Sequence, residues 1–68
     1  MTEVFFIVEE AAEGGLTAKA LGESIFTEAE TLEELRTNVK EAVECHFDEG
    51  SMPRYIRLHM VKEELIAV

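Results

Sequence analysis

His46, His59 and Cys45 are the side chains of this 68-residue sequence best suited to nucleophilic, acid–base or metal chemistry. His46 falls on the apolar face of a helix predicted over Thr31–Asp48, where an imidazole must find a partner or stay neutral. That setting fits a satisfied core or interface histidine better than a catalytic one, and its place in the last turn favours a positive charge at the helix C-terminus. Cys45 projects about 100° away around the same helix, so the two neighbours cannot form a thiolate–imidazole dyad within it. No helix N-terminus or adjacent lysine activates the thiol, which reads as inert and half-exposed. A metal centre would need His46, His59, Cys45 and carboxylates to converge from the helix and the outer face of a sheet, without any ligand-spacing motif to hold them. No metal and no cofactor is expected.

Carboxylates offer a second chemistry. Glu9 and Glu28 end predicted strands while Glu34 and Glu41 lie on the helix, so a cluster for metal-dependent phosphodiester cleavage can be drawn. Glu34, however, is taken by the helix cap and Glu41 lies on the solvent side. A carboxylate-dependent hydrolase or nuclease is therefore the alternative reading. Gly14, Gly15, Gly22 and Gly50 build no phosphate loop, because none stands between a strand and a following helix N-terminus. Tyr55, Arg57 and His59 share one strand face, and so short a stripe on an acidic chain fits an interface patch better than an RNA platform.

These residues need a scaffold, and the Thr31–Asp48 segment organises it. At about 100° per residue Leu32, Leu35, Val39, Ala42, Val43 and His46 fall on one side, with Phe47 at the margin. Glu33, Glu34, Thr37, Asn38, Glu41, Glu44 and Asp48 fall opposite. Thr31 and Glu34 predict a reciprocal capping box, Gly50 a left-handed stop, and Pro53 a bar to resumption. One helix must bury its stripe against a sheet. Glu3–Glu9 supplies a strand with Val4, Phe6 and Val8 on one face and Phe5 and Ile7 on the other, which suits an interior position. Glu10–Gly15 turns the chain into a second strand, Leu16–Leu21, with Leu16, Ala18 and Ala20 on one face. Gly22-Glu23 turns it again into a short third strand, Ser24–Glu28, in which Ile25 and Thr27 alternate with Phe26. Arg54–Val61 alternates strictly, with Ile56, Leu58 and Met60 inward and Tyr55, Arg57 and His59 outward.

The result is an α+β fold of two layers, βββαβ, with one helix on a mostly antiparallel sheet. A right-handed crossover through the helix sets strand 4 parallel to strand 1 and gives spatial order 3-2-1-4. Leu65–Val68 is apolar and is expected to extend the sheet or pack on a neighbour. Because one helix covers one face, Phe5, Ile7, Tyr55, Arg57, His59, Leu65 and Ile66 form the candidate self-association face.

Composition bounds the function. Sixty-eight residues make one domain, 1–68, with a thin core, a size at which oligomerisation is a common remedy. Fifteen acidic residues against six basic ones give a net charge of −9, which repels nucleic-acid phosphates and favours a basic partner or simple solubility. A single cysteine makes no internal disulfide and suits a reducing compartment, so the cytoplasm is the expected location. No apolar run approaches the roughly 20 residues of a membrane span, and MTEVFFIVEE lacks the features of a signal peptide.

Three stretches carry a resemblance: Gly14-Gly15-Leu16-Thr17-Ala18, Thr27-Glu28-Ala29-Glu30-Thr31-Leu32-Glu33-Glu34-Leu35, and Asn38-Val39-Lys40-Glu41-Ala42-Val43. They are similar to the N-terminal domain of HicB-type antitoxins and the small uncharacterised proteins related to them, whose signature runs roughly G-G-x-x-A, a proline-glycine segment, T-x-G-D-T-x-E-E-A and N-x-x-E-A. Here Ala20-Leu21-Gly22-Glu23-Ser24 replaces the proline-glycine segment and Ala29 stands where glycine is usual. The resemblance implies a βββαβ fold, self-association and, in full antitoxins, the masking of a small basic ribonuclease toxin, HicA. No helix-turn-helix or ribbon-helix-helix segment follows, so DNA-binding autorepression is not expected. The leading expectation is a non-enzymatic HicB-like domain that binds itself and a basic protein, with Glu33, Glu41 and Glu44 as the candidate partner surface. A self-associating acidic domain without a toxin partner is the third reading.

Overall fold

The computed structural model describes residues 2–68, in the order β1 (Glu3–Glu10), β2 (Leu16–Ala20), β3 (Phe26–Ala29), α1 (Leu32–His46), a 3-10 turn (Glu49–Ser51) and β4 (Tyr55–Met60). The sheet order is β3-β2-β1-β4, with β1 antiparallel to β2 and parallel to β4. The five-residue apolar run Val4–Val8 thus occupies an interior strand. Its inward set pairs across the sheet, Phe6 between Ala20 and Leu58 and Val8 between Ala18 and Met60. Val4, Phe6, Val8, Ala18, Ala20 and Ile25 form the core with Leu35, Val39 and Val43 of α1, and Phe6, Ala18 and Leu35 are wholly buried.

Two glycines make the first hairpin possible. Gly14 and Gly15 adopt φ of 100° and 81°, the left-handed region open to glycine at little cost. A Cβ on Gly15 would also come within 2.8 Å of the Ala29 carbonyl oxygen, so this turn must pass close beneath β3. The Asn38 amide donates to the Glu28 carbonyl oxygen at 3.1 Å and ties α1 to the same strand. Gly15, Glu28, Ala29 and Asn38, drawn from all three stretches that carry the family resemblance, therefore meet in one structural joint.

At the helix start the Thr31 hydroxyl accepts from the Glu34 amide at 3.1 Å. The Glu34 carboxylate is exposed and makes no hydrogen bond back to the Thr31 amide. Half of the reciprocal box is present, and the expected cost of Thr31→Ala is about 1 kcal/mol. Thermal unfolding checks it. An unchanged midpoint would mean that the cap contributes nothing.

The helix end differs from expectation. It stops at His46 rather than Asp48, because Phe47 turns extended (φ −102°, ψ 145°) to pack against the core while its amide donates to the Val43 carbonyl at 3.1 Å. Gly50 is not a left-handed stop: it lies in the 3-10 turn, outside the positive-φ region. Burial of Phe47 thus replaces the glycine as the terminator. Met60, expected inward, is 49% exposed although it lies on the helix side of the sheet, because α1 sits over β3 and β2 rather than over β4. The segment after β4 adds no strand: beyond the Val61 amide, which donates to the Val8 carbonyl at 2.8 Å, residues 62–68 form no regular structure.

Candidate functional site

The pairing registers place a set of side chains on the sheet face opposite α1. Phe26, Lys19, Ile7 and His59 form one row across the four strands, Glu28, Thr17 and Glu9 a second, and Leu21, Phe5 and Arg57 a third. Tyr55 and Glu3 pair at one end. No element of the described chain covers this face: Leu21, Phe26 and Tyr55 are 54%, 62% and 65% exposed, and Phe5 and Ile7 are half-buried only by their neighbours. Exposed apolar side chains grouped on one uncovered face make it a candidate contact site.

Polar groups on the face are ordered. Arg57 grips Glu3 with two charge-assisted hydrogen bonds, Nε to Oε1 at 3.0 Å and Nη2 to Oε2 at 3.1 Å. These bonds hold the Glu3 carboxyl below its ordinary value and the Arg57 guanidinium above its own. The His59 ring stacks on Phe5 with centroids 5.7 Å apart. A bidentate pair beside a stacked ring holds this part of the surface in one geometry.

The proposed chemical groups are scattered. His46, expected on the apolar stripe, is exposed instead, its Nε2 lying 3.3 Å from Glu23 Oε1 and its ring edge-on to Phe47. The reason is that Phe47 takes the inward position at the helix end. Cys45 is free and exposed. His59 lies across the sheet from the helix, so the two histidines and the thiol do not meet. Among the described residues no group of three His, Cys, Asp or Glu side chains could hold a metal ion. Glu9 and Glu28 sit in one row of the open face with Thr17 between them, two strand spacings or about 10 Å apart at the backbone. Glu34 and Glu41 are on the other layer. The carboxylates therefore form no common centre.

Glu33, Glu41 and Glu44 are all exposed on α1. Leu65 and Ile66, grouped by sequence with the open face, lie in the irregular segment after β4, at 102% and 78% exposure. Sequence reasoning missed Phe26, Leu21 and Lys19 as members of the open face. The signal available was parity: Ile25 inward implies Phe26 outward, and Ala18 and Ala20 inward imply Lys19 and Leu21 outward.

A second surface lies on the helix side. Because α1 leaves β4 uncovered, a groove of about 440 Å³ opens between them, floored by Val39, Val43, Met52, Ile56 and Leu58. Arg36, Lys40 and Arg54 stand at its edge, beside Glu44. No helix among the described residues is long and apolar enough to cross a membrane.

Comparison with known proteins gives two informative relatives. A protein of Archaeoglobus fulgidus is 61% identical over 51 residues, covering 75% of this chain and 76% of its own, and one of Thermotoga maritima is 47% identical over 66 residues, covering 97% and 93%. Both bear the name UPF0150 protein. No family model matches the chain. No solved structure matches it either.

Proposed function

This chain belongs to the UPF0150 family, and on that premise we propose that it is a non-enzymatic, HicB-like domain that works in the cytoplasm by binding protein. It associates with itself through the open sheet face and presents the acidic outer face of α1 to a small basic partner of the ribonuclease-toxin kind. The observation that carries this reading is the uncovered apolar face around Phe5, Ile7 and Phe26, opposite a helix whose outward residues Glu33, Glu41 and Glu44 are exposed carboxylates. The similarity of Gly14–Ala18, Thr27–Leu35 and Asn38–Val43 to HicB-type antitoxins supports the choice of partner.

Charge then acts mainly on association rate, and salt screens it with a Debye length of about 10 Å at 0.1 M. Co-expression with any small basic protein encoded beside this gene is expected to give a complex whose association slows as ionic strength rises. Glu41→Lys combined with Glu44→Lys is expected to slow that association roughly tenfold, with the unfolding midpoint unchanged. Stopped-flow mixing measures it. A rate indifferent to salt and to both substitutions would overturn the assignment of this face. Metal-dependent cleavage by the purified protein alone, abolished by Glu9→Gln or Glu28→Gln, would replace it with the hydrolase reading.

A further inference from the structure

We propose that the groove between α1 and β4 receives the segment Lys62–Val68 of a second copy of this chain, which adds a strand to the open edge of β4. This rests on the reading that the protein self-associates, and it assigns a second contact, distinct from the open sheet face.

Both partners in the contact are incomplete alone. β4 is a terminal strand of the sheet, so one row of its backbone donors and acceptors lacks a partner strand, and beside it the groove leaves Ile56 and Leu58 only partly buried. The segment 62–68 forms no regular structure and pairs with no strand, with Leu65, Ile66 and Val68 at 102%, 78% and 127% exposure. The molecule measures 52 Å along its longest axis against 19 and 18 Å across, and its radius of gyration is 13.3 Å. A folded chain of this length has a radius near 11 Å, so the exposed end of the segment reaches beyond the compact body.

The chemistry of the two surfaces is complementary. In an extended conformation Glu64, Ile66 and Val68 share one side. The groove offers an apolar floor for the two aliphatic side chains and, for the carboxylate, three of the protein's six basic residues, Arg36, Lys40 and Arg54, against the single acidic residue Glu44. Near its own body the segment meets the reverse: Glu63 lines a recess with Glu9 and Glu10, and no basic residue lines it. Folding back onto β4 of the same copy would need a tight reversal at Val61-Lys62-Glu63-Glu64. That sequence holds none of the glycine or asparagine such a turn favours. Exchange between two copies satisfies both grooves by one two-fold operation.

The test uses the full chain. In dimers mixed from isotope-labelled and unlabelled copies, filtered nuclear Overhauser spectra are expected to connect the Ile66 and Val68 methyls of one copy with those of Ile56 and Leu58 of the other. Ile66→Glu and Arg54→Glu are each expected to weaken dimerisation about tenfold, and Arg54→Glu with Glu64→Arg to recover most of the loss. Ile66 is exposed in the single chain, so its substitution does not disturb folding. A dimer whose residues 62–68 show no intermolecular contact and no amide protection overturns this inference while leaving self-association intact. Contacts only within one copy, or a groove that closes only on a basic partner protein, overturn it equally. A monomer at every concentration overturns both.

Discussion

Phe6→Ala is expected to leave no cooperatively folded protein at room temperature. Phe6 is wholly buried between Ala20 and Leu58 and beneath α1, and truncating such a phenylalanine costs about 3–5 kcal/mol. A core in a domain of this size rarely supplies more than about 3–5 kcal/mol in total. Urea denaturation followed by circular dichroism reads the result directly. Phe26→Ala is the control, since that ring is 62% exposed and its loss costs the single chain little. If Phe6→Ala retained the wild-type midpoint, the core would have to lie on the other face of β1 and the assignment of inner and outer residues would be reversed.

That assignment was legible before any coordinates. Five consecutive apolar residues from Val4 to Val8 ask for an interior strand, and a right-handed crossover through one helix then leaves order 3-2-1-4 as the simple solution. Periodicity also separated Leu35, Val39 and Val43 from the acidic face of α1. Where the reading stopped short, a tertiary term outweighed a local one. Gly50 looked like a helix stop, but burial of Phe47 ended the helix at His46, two residues before the expected Asp48, and left that histidine in solvent beside Glu23. β3 is four residues long, too short for its alternation to announce Phe26 as part of the open face. The groove was invisible, because it depends on where α1 lies across the sheet, and the period of an amphipathic stripe carries no information about lateral position. Gly15 and Asn38 were read as marks of a family; their close approach to Ala29 and Glu28 explains physically why the fold needs those types there.

Ile7→Glu is expected to weaken self-association on the order of 100-fold while leaving the single chain folded. Ile7 lies near the centre of the open face between Lys19 and His59, so a carboxylate has a cation beside it in the monomer. At the centre of a two-fold contact the same carboxylate would meet its symmetry mate in a site being stripped of water. Losing the burial of isoleucine removes about 1.5–3 kcal/mol, and 2.7 kcal/mol is about 100-fold in a dissociation constant. Sedimentation equilibrium over a concentration series measures the change. The same variant retaining wild-type affinity would place the contact elsewhere than the open face.

The proposed function requires contacts with other protein chains, the first of them a second copy of this one. Light scattering on the purified wild-type chain at micromolar concentration tests that most directly. It is expected to return at least twice the 7.7 kDa of one chain. A single 7.7 kDa species across the concentration range would contradict it.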